Sequence, residues 1–318
     1  MNTAPLIIYV PGKNPKPPED VHQALLWRAL VEGVRRYDGA TAPTLIAASE
    51  FQICAWNVVF YAQTRDPAPG MADFERAMHS AAPSARERRE AKNWHVRLHR
   101  AFYTLADHLP WLIPLVPNAT LQATIAEIHR YFANYRGIAC EVREVLKALL
   151  RPCLAQGRQV LIIGHSLGAV IAYDTLWELT WEEQRQGKVD LLTLGSPLGM
   201  HFMQRRLQGC RERRDRRYPQ LIDRWHNVAA KGDLVALDAT VNDDFVYMLR
   251  KHMLTEIVDY TGEIYNHFRD GDTLNVHRSY GYLLNPVVGG IVARWWRSAA
   301  SGVNLMSDNA VAMVSVPC

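Results

Sequence analysis

Short runs of consecutive apolar residues alternate with amphipathic stretches along most of the chain. Leu6 to Val10 (LIIYV) is a β-rich run closed at once by Pro11-Gly12, and it reads as a buried strand. Val21, Leu25, Leu26, Leu30 and Val34 then share one face of a predicted helix over 21–36, with Glu19 and Asp20 at its start. A second strand is predicted over 51–61 (FQICAWNVVFY), where β-branched and aromatic residues dominate.

The pattern lengthens between about Met71 and Arg151. Trp94, Leu98, Phe102 and Leu105 mark one helical face, and Leu121, Ile125, Ile128, Phe132 and Tyr135 mark another. Between them lies 110–117 (PWLIPLVP), too broken by proline to be helical. Alternation resumes with a pure apolar strand at 160–163, a helix at 167–179 and a strand at 189–194. After an Arg-rich loop come a strand at 225–230, a β-like stretch at 257–268 and a closing helix at 282–297. Continuous apolar strands alternating with helices predict an α/β fold, with a mostly parallel sheet covered by helices on both faces. The expected organisation is a single domain over 1–300, with helices of 71–151 inserted as a cap and 301–318 as a flexible tail.

Composition narrows the class. With 318 residues, 48% of them apolar, the chain can bury a sizeable core; 21% charged residues exclude a disordered or fibrous chain. A formal charge of +4 gives no argument for nucleic acid as partner. No secretory leader or membrane-spanning stretch is visible. Five scattered cysteines without CxxC spacing read as reduced thiols, so a cytoplasmic location is expected.

Candidate chemistry centres on Gly164-His165-Ser166-Leu167-Gly168, which joins a predicted strand to a predicted helix. With Gly and Ser each near ~7% of residues, a bare GxSxG arises in about one chain in ten of this length. The flanking elements supply the specificity, because strand, sharp turn and helix are the context a nucleophile elbow requires. Such a turn strains the serine backbone and lifts its hydroxyl off the sheet, while glycines at 164 and 168 let strand and helix approach. The helix start points N–H groups and positive dipole toward a developing oxyanion.

On this pentapeptide the chain resembles the α/β-hydrolase superfamily, especially its lipase and esterase branch, where GHSLG is a frequent elbow. The resemblance runs from Leu6 to about Arg297, less the inserted helices, and TLGSPLG (193–199) is similar to the lipase-type strand after the elbow helix. It implies Ser166 as nucleophile, with an acid and then a histidine following in chain order. The acid is expected just past the strand after TLGSPLG, at Asp233, with Asp238 as rival and Asp243 and Asp244 behind it. The base is expected in a late loop, at His277, rather than at His226, His252 or His267. Oxyanion donors are implied at Leu167 N–H and, in the loop after the first strand, at Lys13 or Gly12; many relatives have His-Gly where this chain has Pro11-Gly12. Ser196 is expected to line the site or cap a helix, and Tyr280 to pack.

Weaker features have plainer readings. His95 and His99 have a zinc-binding helical spacing but lack the HExxH glutamate and a third ligand, so a solvated helix face is favoured and no metal is implied. Cys54 reads as core. The arginines between Arg205 and Arg217 read as a solvated loop ahead of a contact with anionic lipid head groups or an acidic substrate. The apolar loop 110–117 is read evenly between a functional surface, either acyl-pocket wall or peripheral membrane contact, and simple packing between cap helices. The expectation is a serine hydrolase, without cofactor, acting on a small-molecule or lipid-like ester with an apolar acyl chain. An acyltransferase or thioesterase would use the same elbow. A non-catalytic binding protein of the same fold would leave Asp233 and His277 far from Ser166.

Overall fold

A computed structural model describes residues 4–48, 50–93 and 119–300. His95, His99, the apolar face from Trp94 to Leu105, the 110–117 loop and the 301–318 tail lie outside the described residues. Six parallel strands form the central sheet: β1 (Leu6–Val10), β2 (Glu50–Ile53), β3 (Val160–His165), β4 (Val189–Leu194), β5 (Ile222–Val228) and β6 (Glu256–Tyr260). Their order across the sheet is β2-β1-β3-β4-β5-β6. The α/β class expected from the alternation is therefore observed.

Side-chain alternation along the strands divides the core in two. Leu6, Ile8 and Val10 join Val160 and Ile162 on one face, while Ile7 and Tyr9 join Leu161 and Ile163 on the other. Helices α1 (Glu19–Tyr37), α2 (Thr41–Ala48) and α4 (Ala68–His79) cover the second face. The first face is covered by α3 (Trp56–Tyr61), α6 (Ala119–Ala133), α7 (Ile138–Ala155) and α8 (Leu167–Trp181). A short helix α5 (Ala85–Ala91) lies between them in sequence, starting with a capping box from Ser84 and Glu87.

Helix α8 is buried from Leu167 to Thr180, apolar except for a few positions, and its two acidic residues hold its outer neighbours. Asp174 accepts from Tyr131 at 2.9 Å, while Glu178 takes Arg143 at 2.7 Å and Lys147 at 2.6 Å. Burial pushes the Asp174 carboxyl up to about 7. Spacing of four places both carboxylates on one helix face, so α6 and α7 dock there.

Three predicted elements take a different form. The 51–61 strand divides: β2 ends at Ile53, and Trp56–Tyr61 is helix α3. Trp56 and Phe60, four apart, are buried while Val58 and Val59 face solvent, so tertiary packing overrides β propensity. The 257–268 stretch is strand only to Tyr260; Ile264, Tyr265 and Phe268 are buried without a ladder. After α9 (His201–Gln204) and α10 (Val246–Arg250), the closing helix is broken into α11 (Ser279–Leu283) and α12 (Pro286–Ala300). Pro286 disfavours helical backbone at Asn285, whose side chain instead accepts the Val287 N–H at 2.9 Å. His252 falls in the turn after α10, in left-handed backbone (φ 53°). No described helix is long and apolar enough to cross a membrane.

At the elbow, α8 crosses β1 and β3 at close range. A methyl group on Gly168 would stand 2.1 Å from the Val10 carbonyl oxygen, and one on Gly164 would stand 2.7 Å from Ala169 Cα. Backbone cannot yield like a flexible side chain, so Gly168→Ala is expected to destabilise the fold by about 3 kcal/mol or more. Urea denaturation of the variant checks this; an unchanged midpoint would rule out the close crossing.

Candidate active site

The carboxyl ends of β1, β3 and β5 lead into the segments that carry Gly12, Lys13, Ser166 and Asp233. Ser166 follows β3 directly, and its backbone sits at φ 55°, ψ −126°. For a non-glycine residue that conformation costs about 1–3 kcal/mol. It persists because both sides are fixed: Ser166 N–H bonds the Leu194 carbonyl at 3.0 Å, and its own carbonyl accepts from Ala169 at 3.0 Å. Leu167 is the first residue of α8, so its N–H belongs to the orphan donors at a helix start.

The loop after β1 is clamped by α3. Trp56 Nε1 donates to the Pro11 carbonyl at 2.8 Å, and Asn57 Nδ2 donates to the Gly12 and Asn14 carbonyls at 3.0 Å each. Tyr61 Oη accepts the Asn14 N–H at 2.8 Å. These bonds hold Gly12 against the elbow, where an added Cβ would meet Ser166 Cβ and His165 Nδ1 at 2.9 Å. Lys13 lines the same cleft as Ser166. Helix α3, where the pattern predicts a strand, is thus the clamp of the loop in which Lys13 and Gly12 are expected as donors.

Asp233 leaves β5 through Lys231-Gly232 and is 1% exposed. His277 Nδ1 lies 2.8 Å from Asp233 Oδ2. The same oxygen accepts from Tyr282 Oη at 2.6 Å, and Asp233 Oδ1 accepts the Val235 N–H at 2.9 Å. Burial raises the cost of this carboxylate, but the His277 charge and the three hydrogen bonds outweigh it and hold its pKa below the usual value. Both Ser166 and His277 line one cleft of about 150 Å³.

His277 sits in the loop before α11, with its N–H on Asn275 Oδ1 at 3.1 Å. Its carbonyl bonds His165 Nε2 at 2.9 Å, and the two rings lie 4.7 Å apart. Because a carbonyl only accepts, Nε2 carries the His165 proton. Burial first, then the facing His277, keeps the His165 imidazole well below its ordinary pKa, so it stays neutral.

The rival residues lie elsewhere. Asp238 accepts from Thr240 within its own turn, and Asp244 accepts from Gln204 at 2.6 Å. His226 faces Glu256 across β5 and β6, while His267 bonds the Ser80 carbonyl. Ser196 is buried and caps its own turn through the Leu198 N–H. Tyr280 packs edge-on against Phe74 and also lines the cleft. Arg206 and Arg216 of the basic stretch lie over the Phe202 and Trp181 rings. Among the described residues no cluster of three or more His, Cys, Asp or Glu is placed to hold a metal.

Sequence reasoning overlooked Tyr282, which receives the Ala230 N–H at 3.0 Å while donating to Asp233. Nothing local distinguishes it from neighbouring Tyr280, since its partners lie 49 and 52 residues away. Tyr282→Phe is expected to cost roughly 1–3 kcal/mol at neutral pH, because a buried N–H loses its acceptor and a carboxylate loses a donor. The depressed Asp233 pKa contributes stability that is present above the unfolded carboxyl value and fades as pH falls through the folded one. The difference between wild type and variant should therefore shrink in acid, measured by denaturation at a series of pH values.

The family model described as Lipase (class 3) matches residues 64–236, a span that includes the elbow and Asp233. No curated protein and no solved structure matches the chain.

Proposed function

The chain belongs to the class 3 lipase family, a lipase- or esterase-like group of serine hydrolases, and from that membership we propose that Ser166, His277 and Asp233 cleave a carboxylic ester through an acyl-enzyme. The observation that carries the reading is the 2.8 Å bond between His277 Nδ1 and Asp233 Oδ2, on a ring that shares its cleft with Ser166. With Nδ1 committed to the carboxylate, Nε2 is the nitrogen left to act as base.

In the first half-reaction His277 Nε2 takes the Ser166 Oγ proton as Oγ attacks the acyl carbon. The resulting oxyanion is held by the Leu167 N–H and by the Lys13 or Gly12 N–H. His277 returns the proton to the leaving alkoxide, and the alcohol departs. Water then attacks the acyl-serine with His277 again as base, releasing the carboxylic acid and restoring Ser166. Asp233 holds the imidazole in the required tautomer and stabilises its charged form; Tyr282 fixes Asp233, and His165 fixes the His277 backbone. These last two are positioning residues.

Hydrolysis of a p-nitrophenyl ester series tests the proposal. Ser166→Ala and His277→Ala should each lower kcat by roughly 10⁴-fold or more, and Asp233→Asn by about 10⁴-fold, all folded as wild type. A fluorophosphonate probe should label wild type and leave Ser166→Ala unlabelled. Equal turnover or labelling by the Ser166 variant would refute the assignment.

A further inference from the structure

The cleft beside Ser166 is not the apolar slot expected for a plain acyl chain. Among its described lining residues four are cations, Lys13, Lys16, Arg65 and Arg278, and one is a carboxylate, Asp66. Asp66 is already engaged, accepting the Ala68 N–H at 2.9 Å. Lys13 pairs with Glu127 at 3.6 Å. The other three lack a close carboxylate partner among the described residues. Lys16 Nζ donates to a neutral carbonyl, that of Lys13, at 2.6 Å. Arg278 has its nearest carboxylate, on Asp270, at 3.9 Å, and its buried Nε has no partner among the described residues. Arg65 is exposed at the mouth, anchored by its backbone N–H to the Lys16 carbonyl at 2.8 Å.

Cations gathered in a partly dry cleft repel one another unless something negative joins them. Lys16 registers this strain. Burial first, then Arg278 and Lys13 with Arg65 behind them, pulls its ammonium down to about 7, with Glu127 opposing. On the α1 side it faces His22, itself kept neutral by burial and by Lys16. An anion seated among Lys16, Arg65 and Arg278 would remove that repulsion and take up the free guanidinium donors.

We propose that Lys16, Arg65 and Arg278 form a subsite for an anionic group, carboxylate or phosphate, carried by the ester that Ser166 attacks. Arg278 adjoins His277 in the chain and Lys16 lies on the loop of Gly12 and Lys13, so the anion and the scissile carbonyl occupy one cleft. At about 150 Å³ that cleft, as bounded by the described residues, suits a short substrate arm. This inference rests on the serine-hydrolase reading and adds the substrate's charge to it.

The test compares two matched pairs of esters. 4-Nitrophenyl hydrogen succinate against 4-nitrophenyl butyrate places the charge on the acyl side; 1-butyrylglycerol 3-phosphate against 1-butyrylglycerol places it on the alcohol side. At least one anionic member should be favoured about tenfold or more in kcat/KM, and Arg65→Gln or Lys16→Met should each cut that ratio about tenfold, with Arg65→Lys restoring much of it. Arg65 is exposed, so its variants test the idea without threatening the fold. Ser166-dependent hydrolysis with no anionic preference in either pair, or a preference surviving the Arg65→Gln/Lys16→Met double variant, overturns the subsite and leaves the hydrolase reading intact. Failure of wild type to turn over any of the four esters overturns both.

Discussion

Contact between the α8 backbone and the end of β1 is the constraint on which the site depends. Gly168 lies so close to the Val10 carbonyl that a single methyl would fall 2.1 Å away. That approach draws the helix start over the strand ends and holds Ser166 at positive φ between fixed hydrogen bonds. The same crossing brings the loop after β1 against the elbow, with Gly12 beside the serine. Strain at Ser166 is supported by rigid backbone on three sides, as expected where local strain is kept for chemistry.

A second layer of support is polar and buried. Asp233 is nearly inaccessible, yet it remains a carboxylate because His277, Tyr282 and the Val235 N–H all serve it. Removing one partner leaves the others with an unsatisfied charge, which is why Tyr282 matters to this pair. On the other side of the imidazole, neutral His165 holds the His277 carbonyl. The elbow histidine and the closing-helix tyrosine thus orient one ring from two directions.

Legibility followed the range of the forces involved. β1, β4 and the elbow were readable because consecutive β-formers and a glycine turn declare themselves within a few residues. Asp233 and His277 were reached by chain order and loop position, and the structure brings them within one hydrogen bond. Helix α3 was not readable: its valines favour a strand, and only burial of Trp56 and Phe60 against α7 and the sheet decides otherwise. Nor was Tyr282, whose role is set by partners far away in sequence. The cationic cleft was equally hidden, since Lys16, Arg65 and Arg278 come from three segments whose charges look ordinary in isolation.

Strand order carries a consequence for how the protein is made. β1 pairs with β2 on one edge, but its other edge waits for β3, whose Val160 stands opposite Leu6 across 154 positions of chain. At roughly 5–20 residues per second, a ribosome needs about 8–30 s to cover that distance. Throughout that interval Leu-Ile-Ile-Tyr-Val presents an open apolar edge, the kind of surface that invites wrong pairing and chaperone capture. The elbow, which needs both β1 and β3, therefore cannot form until about half of the chain has been made.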